Sequence, residues 1–456
     1  MLNLSLASIA EATQGRLRGH ETHIEAVSTD SRKRIGNALF VALRGEQHDA
    51  HDFIAQAREN GAVAALVERE IEIDLAQVIV ADTQIALGQI AAHVRRQRDV
   101  CVIGITGSNG KTTVKTLLAG ILSRHAPTHA SSGSFNNEIG LPLTLLAMPA
   151  DTRFAVLEMG AGKPGDIDYL VGIAQPQVAL VNNIAPAHLE RMGSLDGVAK
   201  TKGAIYSGLP ESGIAVINAD DAYAGFFTGL AGHRRVIRFG LDAHADVTAR
   251  HDRRAATNLF TLVAPQGEIE VSLPLLGQHN VLNALAAASL ALAVDVPLAT
   301  IKEGLEAAAA VGGRGAQRKH ASGALIIDDT YNANPASFAA AIDTLASFVG
   351  TRILVVGDMR ELGADAESLH AEVGALAASK GIDRLYAVGQ LSRATANAFG
   401  GEARHFADQA ALITALRGEL ESSMTVLIKG SRGSAMDRVV GGLFAAEASA
   451  GDRHAA

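Results

Sequence analysis

Short apolar runs recur along this chain, most followed by a polar or glycine-rich turn and then by apolar positions three and four apart. That alternation of strand and helix signals predicts parallel sheets covered by helices. Residues 37–43 and 62–67 read as strands, 53–60 as a helix stopped by Gly61, and 78–81 as a further strand. Residues 100–103 form a buried strand, and Val114, Leu117, Leu118 and Ile121 follow at helical spacing. The next strands are 154–158, ending on Glu158, and 178–181, ending on Asn182-Asn183. Segments 258–264 and 268–273 flank Pro265-Gln266-Gly267 and predict a β-hairpin. An Ala/Leu helix follows Gly277-Gln278-His279-Asn280. Beyond the hinge signal Gly312-Gly313-Arg314-Gly315, strands are expected at 324–329, 352–358, 383–389 and 425–430, with polar residues gathered at their ends.

The fold class is therefore α/β in three domains. Residues 1–98 make a small α/β N-terminal domain. Residues 99–312 make a central, P-loop-type, mostly parallel sheet with a small antiparallel element. Residues 313–456 make a doubly wound, Rossmann-like C-terminal domain. An apolar content of 48% in 456 residues is ample for such cores. The net charge of −8, with acids and bases interleaved, offers no basic face for nucleic acid. The single cysteine, Cys101, lies in a strand and reads as a small buried side chain, so no disulfide framework is expected and the compartment is reducing. The longest apolar run, 282–294, contains Asn283 and Ser289 and is too short to cross a bilayer. The start of the chain lacks the basic residues and apolar core of a signal peptide, which points to a soluble cytoplasmic protein. Trp is absent, which excludes a Trp platform for sugars.

The chemistry concentrates where strand 100–103 meets Gly104, Gly107, Gly110 and Lys111-Thr112-Thr113. Glycines let backbone N–H groups turn toward an anion, and a helix N-terminus adds partial positive charge. Lys111 would reach nucleotide phosphates and Thr112 would hold Mg²⁺. The strict phosphate-loop pattern wants a glycine where this chain has Ile105, but the flanking strand and helix supply the required context. Ligands in open α/β sheets sit beyond the carboxyl ends of strands, so Glu158 and the segment after Val181 share the loop's edge. Gly160-x-Gly162-x-x-Gly165 matches a dinucleotide fingerprint only formally. Pro164 lies inside it and no acid ends the next strand, so a turn with Asp166 capping a helix is expected instead. Ser28-Thr29-Asp30-Ser31-Arg32 reads either as a solvated turn or as an anion contact.

Several runs resemble the Mur ligases and follow that family's order over nearly the whole chain. They are Thr106-Gly-Ser-Asn-Gly-Lys-Thr-Thr113, Phe135-Asn-Asn-Glu-Ile-Gly-Leu-Pro142, Glu158-Met-Gly160, Asn182-Asn-Ile-Ala-Pro-Ala-His188, Lys200-Thr-Lys202, Gly277-Gln-His-Asn280, Asp328-Asp-Thr-Tyr-Asn-Ala-Asn-Pro335, Gly357-Asp-Met-Arg-Glu-Leu-Gly363 and Lys429-Gly-Ser-Arg432. Ile105 fits that family. The 328–335 and 357–363 runs are similar to those of the last ligase in its series. The resemblance implies ATP-dependent amide formation through an acyl phosphate, joining D-alanyl-D-alanine to UDP-N-acetylmuramoyl-tripeptide to complete the peptidoglycan pentapeptide precursor. It implies that the first domain holds the UDP end, the second ATP, and the third the incoming dipeptide, in a monomer that uses two Mg²⁺ ions.

Residue by residue, the resemblance implies an ATP site of Gly107, Ser108, Asn109, Gly110, Lys111, Thr112 and Thr113, with His279, Asn280 and Asn283 on the adenine side. Arg314 would reach the γ-phosphate from the hinge, and Asp329 the ribose. Lys111, Glu158, His188 and Lys202 would be catalytic, with Thr112, Glu158, His188 and Lys202 (as a carbamate) holding metal. Ser31, Asn137, Asp358, Lys429 and Arg432 would bind substrate. Arg432 suits a terminal carboxylate because its fork can bind both oxygens. Val198, Ile205 and Leu209 trace one face of a helix over 195–209, and Lys202 falls on that face while Lys200 does not. Two other readings are another ligase of the superfamily, such as folylpolyglutamate synthase, and a nucleotide-binding regulator without chemistry. The regulator would need the loop but not Glu158, His188 and Lys202, and all three are present.

Overall fold

The computed structural model describes residues 2–45, 47–133, 135–186, 189–251 and 258–451, with backbone alone at 251 and 446–451. The first sheet has five strands in the order Arg16–Arg18, Ala76–Ile79, Ala62–Val67, Ala38–Val41, Ala26–Ser28. All pair in parallel except Arg16–Arg18, which runs antiparallel at the edge.

The central sheet has six parallel strands. Cys101–Thr106 lies between Phe154–Glu158 and Val178–Val181, with Thr128–Ala130 at one edge and Ile214–Asn218 and Arg235–Phe239 toward the other. The chain builds first on one side of Cys101–Thr106 and then crosses to the other. Strand order therefore reverses beside the glycine loop, where a crevice opens at the strands' carboxyl ends. The expected hairpin forms from Asn258–Ala264 and Gly267–Leu273, paired from Ala264↔Gly267 to Asn258↔Leu273. A third strand that the sequence pattern did not announce, Thr248–His251, extends it. In Lys111–Leu122, Val114, Leu117, Leu118 and Ile121 are buried against this sheet and the helix Gln278–Leu292, as their spacing requires.

The last sheet also has six strands, in the order Ala316–Lys319, Leu325–Asp329, Met424–Lys429, Thr351–Gly357, Arg384–Val388, Glu402–Phe406. Only Ala316–Lys319 is antiparallel. Separate apolar cores cover the two faces, as a doubly wound unit demands.

The first and central sheets each have a core of their own on one face and share another. One apolar cluster runs from Leu39 and Leu66 through Leu87 and Ile90 of the helix Thr83–Arg96 to Leu141, Leu157 and Ile205. The same helix is tied down by Arg95, whose Nε donates to the Ala174 carbonyl at 2.9 Å and whose guanidinium also reaches the Gln175 carbonyl at 3.3 Å. Two local expectations change. Cys101 is half-buried, because it opens its strand at the sheet margin. Asp166 sits in the first turn of Asp166–Ala174 and does not cap it. Its Oδ2 accepts from Gly162 and Lys163 N–H, both at 2.9 Å, and so folds the preceding turn. Among the described residues, no helix is long and apolar enough to cross a membrane.

Candidate active site

The glycine loop turns at Gly107 (φ +147°) and Gly110 (φ +79°). A Cβ on Gly110 would lie 2.4 Å from Asn283 Oδ1 and 2.5 Å from Asn182 Nδ2, so only glycine lets the loop pass. The loop is held by amide side chains. Asn183 Oδ1 accepts from Asn109 N–H at 2.8 Å, and Asn182 Nδ2 donates to the Asn109 carbonyl and to Asn283 Oδ1, both at 3.0 Å. Asn283 Nδ2 donates to Asn280 Oδ1 at 3.0 Å, and Asn280 Nδ2 to the Leu276 carbonyl at 2.7 Å. Asn280 and Asn283 thus brace the loop from behind while reaching the cavity wall. The helix Lys111–Leu122 starts at Gly110 with no side-chain cap, leaving its first-turn N–H groups for an anion. Lys111 folds back meanwhile, donating to the Gly107 carbonyl at 2.8 Å.

Glu158 is the charge centre, at 2% exposure. Its Oε2 accepts from Thr112 Oγ1 at 2.7 Å and lies 3.4 Å from Lys115 Nζ, and its Oε1 accepts from Asn136 Nδ2 at 2.8 Å. Burial alone would push this carboxyl's pKa up. The ammonium groups of Lys111 and Lys115, with the Thr112 and Asn136 hydrogen bonds, outweigh it and hold the pKa below the usual range. The group therefore stays ionised, and a hydroxyl and a carboxylate stand side by side as hard oxygen donors. That donor set fits Mg²⁺, which takes one or two carboxylates and completes its shell with phosphates and water. Among the described residues no cluster of three or more His, Cys, Asp or Glu could hold a metal by itself. His188 lies outside the described residues.

Lys202 is buried (2% exposed) in the helix Leu195–Ser207, on the face shared with Val198 and Ile205, while Lys200 is exposed. Desolvation, with repulsion from Lys111 against attraction from Asp166, lowers its pKa to about 7. The helix is fixed by Tyr206, whose hydroxyl accepts from Val181 N–H at 2.8 Å and donates to the Val216 carbonyl at 2.6 Å.

The third domain faces this edge across a cavity of about 730 Å³. Two parallel sheets present their carboxyl ends to it. Asn334 caps the helix Pro335–Ala346 and also donates from Nδ2 to Asn109 Oδ1 at 2.8 Å, joining the last domain to the phosphate loop. Asp329 Oδ2 pairs with the buried Lys429 at 2.7 Å, so two residues assigned to different ligands lie together. Arg314 stacks on the Tyr331 ring, 4.0 Å from its centroid, and Tyr331 N–H donates to the Gly313 carbonyl at 3.0 Å, which fastens the hinge.

The cavity wall brings together Ser108, Asn109, Gly110, Lys111, Thr112, Thr113, Asn137, Glu158, His279, Asn280, Asn283, Arg314, Asp329 and Lys429. Gly107, Ser31, Lys202, Asp358 and Arg432 are not on it. Ser31 Oγ donates to Gln56 Oε1 in the first domain, within a turn where Asp30 pairs with Arg32. Asp358 Oδ1 accepts from Ser392 N–H at 2.8 Å, starting a helix, and Arg432 stands exposed 3.6 Å from Asp437. Lys115, Asn136 and Asn334 join the site without an expected task. Lys115 had a signal, four residues after Lys111 and so on its helix face. Asn136 and Asn334 stood inside the quoted runs, but a partner distant in sequence cannot be read from a run.

A phosphate loop on one parallel sheet, faced by the strand ends of a second doubly wound domain, defines a nucleotide-using enzyme that works between domains. Three stretches match family models: the Mur ligase family catalytic domain over residues 23–100, the Mur ligase middle domain over 105–291, and the Mur ligase glutamate ligase domain over 313–432. The chain belongs to the Mur ligase family. It is 47% identical to the UDP-N-acetylmuramoyl-tripeptide–D-alanyl-D-alanine ligase of Escherichia coli, over 96% of this chain and 98% of that one. It is 34% identical to the Bacillus subtilis enzyme of that name, with the same coverage. Among solved structures it is similar to MurF from Acinetobacter baumannii (TM-score 0.91, 38% identity, 97% of this chain and 98% of that one). It is also similar to MurF ligase from Thermotoga maritima in complex with ADP (TM-score 0.82, 29% identity, 92% and 96%).

Proposed function

We propose that this chain is an ATP-dependent amide ligase that joins D-alanyl-D-alanine to UDP-N-acetylmuramoyl-tripeptide, giving the pentapeptide precursor, ADP and phosphate. The observation that carries the reading is the Thr112–Glu158–Lys111 cluster beneath an uncapped helix N-terminus, facing a second domain across one cavity.

A carboxylate is a poor electrophile. One of its oxygens attacks the γ-phosphorus of ATP, the bond to ADP breaks, and an acyl phosphate results. The dipeptide amine then attacks the acyl carbon, the C–N bond forms, phosphate leaves and the amine loses a proton. Positioning and charge neutralisation dominate the first step. Lys111 turns from the Gly107 carbonyl to the phosphates, and the free N–H groups of the helix take an oxygen each. Thr112 and Glu158 would hold one Mg²⁺, with His188 and a carbamate on Lys202 serving a second. The ions would neutralise phosphate charge. Arg314 stands on the cavity wall beside the hinge, ready for the γ-phosphate, and His279 and Asp329 flank the space for the nucleoside. Asn137 faces the acceptor substrate. Lys429, Asp358 and Arg432 form the dipeptide side, with Ser31 at the UDP end. The domains divide at 98/99 and 312/313, and the protein acts as a cytoplasmic monomer.

The direct test is amine-dependent phosphate release. D-alanyl-D-alanine with UDP-muramoyl tripeptides bearing diaminopimelate or lysine should support turnover, and folate with glutamate should not. Turnover only with the folate pair would select the other ligase reading.

Closure is the second expectation. The last domain meets the loop through the Asn109–Asn334 pair, and Gly312 has open space around a would-be Cβ. Ligands that contact both domains should draw them together. Small-angle scattering should show a smaller radius of gyration with both substrates and a non-hydrolysable ATP analogue. An unchanged radius would contradict it.

A further inference from the structure

Lys115 is a buried cation beside Glu158 to which no step of the reaction gives a task. Its side chain is 5% exposed, and its ammonium stands between two groups. One is Glu158 Oε2 at 3.4 Å, and the other is the Gly133 carbonyl, which accepts from it at 2.9 Å. Gly133 lies in the loop after the strand Thr128–Ala130, of which residues 131–133 and 135–137 are described. That loop is tied to the Glu158 strand end elsewhere too. Ser131 Oγ accepts from Glu158 N–H at 3.2 Å, Asn136 Nδ2 donates to Glu158 Oε1 at 2.8 Å, and the Asn136 carbonyl accepts from Gly160 N–H at 2.7 Å. The loop runs on to Asn137 and Glu138 on the cavity wall. The carboxylate that would hold metal is thus also the post to which the acceptor-side loop is fastened.

We propose that Lys115 is a positioning residue that couples the occupancy of Glu158 to the loop segments carrying Gly133 and Asn136. An ammonium and a divalent cation on the same carboxylate repel, and steeply so where water is scarce. A metal ion drawing on Glu158 weakens the hold of Lys115 on that carboxylate and throws its hydrogen bonding onto Gly133. The loop then tightens when metal and nucleotide are in place, and the wall carrying Asn137 is set for the acceptor substrate. The proposal rests on the assignment of Glu158 to metal and Asn137 to substrate.

The test is hydrogen exchange over residues 128–140 in the full chain, wild type and Lys115→Met, with and without Mg²⁺ and a non-hydrolysable ATP analogue. In the wild type, the ligands should slow loop exchange at least about fivefold, and in Lys115→Met they should leave it fast. An equal response in both proteins would overturn the coupling. In steady state, Lys115→Met should raise the KM for the UDP-linked acceptor about tenfold more than the KM for ATP, and equal changes would count against it. Lys115→Gln, which keeps a donor without charge, should lose the exchange response too and serves if the Met variant does not fold. Glu158→Gln separates the two layers. If Mg²⁺ still strengthens nucleotide binding in that variant, the metal assignment falls and the coupling with it. If that dependence is lost while Lys115→Met still responds like wild type, only the coupling falls.

Discussion

Replacing Lys111 with alanine should abolish phosphoryl transfer and leave the fold intact. The Lys111 side chain packs no core. Among the described residues it bonds only carbonyls of its own loop, while Val114, Leu117 and Leu118 hold the helix to the sheet. Its ammonium would meet the phosphates as charge builds on them, a contribution worth several kcal/mol in a site poor in water, or at least ~10²-fold in rate. The variant also strips Glu158 of its strongest opposing charge, so that carboxyl's pKa should move up. Phosphate release by a variant with unchanged circular dichroism and melting temperature is the measurement. Near-normal turnover would remove the phosphate-loop assignment.

Lys202→Ala should be equally damaging, and reparable in a way Lys111→Ala is not. Lys202 is buried on the inner face of its helix, and among the described residues its ammonium has no hydrogen bond or ion pair. A bare cation there is costly, and the neutral amine can add CO₂ and become an anion. The sign with pH follows from a pKa lowered to about 7. Below it the folded and unfolded chains both carry the proton, and the folded state bears the full cost of the buried charge. As pH rises past 7 the folded chain sheds its proton first, so this group favours folding increasingly up to the ordinary lysine range. Carbamate should form readily at about pH 8 and poorly at about pH 6, on either side of that lowered pKa. Acetate or formate should restore activity to Lys202→Ala, because a small carboxylate can stand where the carbamate would. Full activity of Lys202→Ala without additive would refute the modification.

Much of this molecule is legible from residue order because its signals are local. The strand ending on Glu158, the glycine loop and the inward side of the helix bearing Lys202 all follow from spacing alone. The strand Thr248–His251 escapes such reading because it is short and carries charge. Only its pairing with Asn258–Ala264 defines it. The amide network around Asn109 is illegible for a different reason. Each asparagine looks like a turn residue, and only the fold shows that Asn182, Asn283 and Asn334 converge on one loop. Asp329 and Lys429 end neighbouring strands that lie far apart in the chain, so their pairing needed the sheet order.

The apolar cluster shared across the helix Thr83–Arg96 has a consequence for descent. A unit whose core is continuous with its neighbour's cannot be exchanged for a foreign one without exposing Leu87 and Ile90 to a mismatched surface. The last domain carries its own two cores, with Leu276 of the central domain packed against one of them, and otherwise meets the rest through a hinge and polar contacts. An exchange of domains among relatives should therefore be tolerated best at a seam near Gly312, with the first two units moved as a pair.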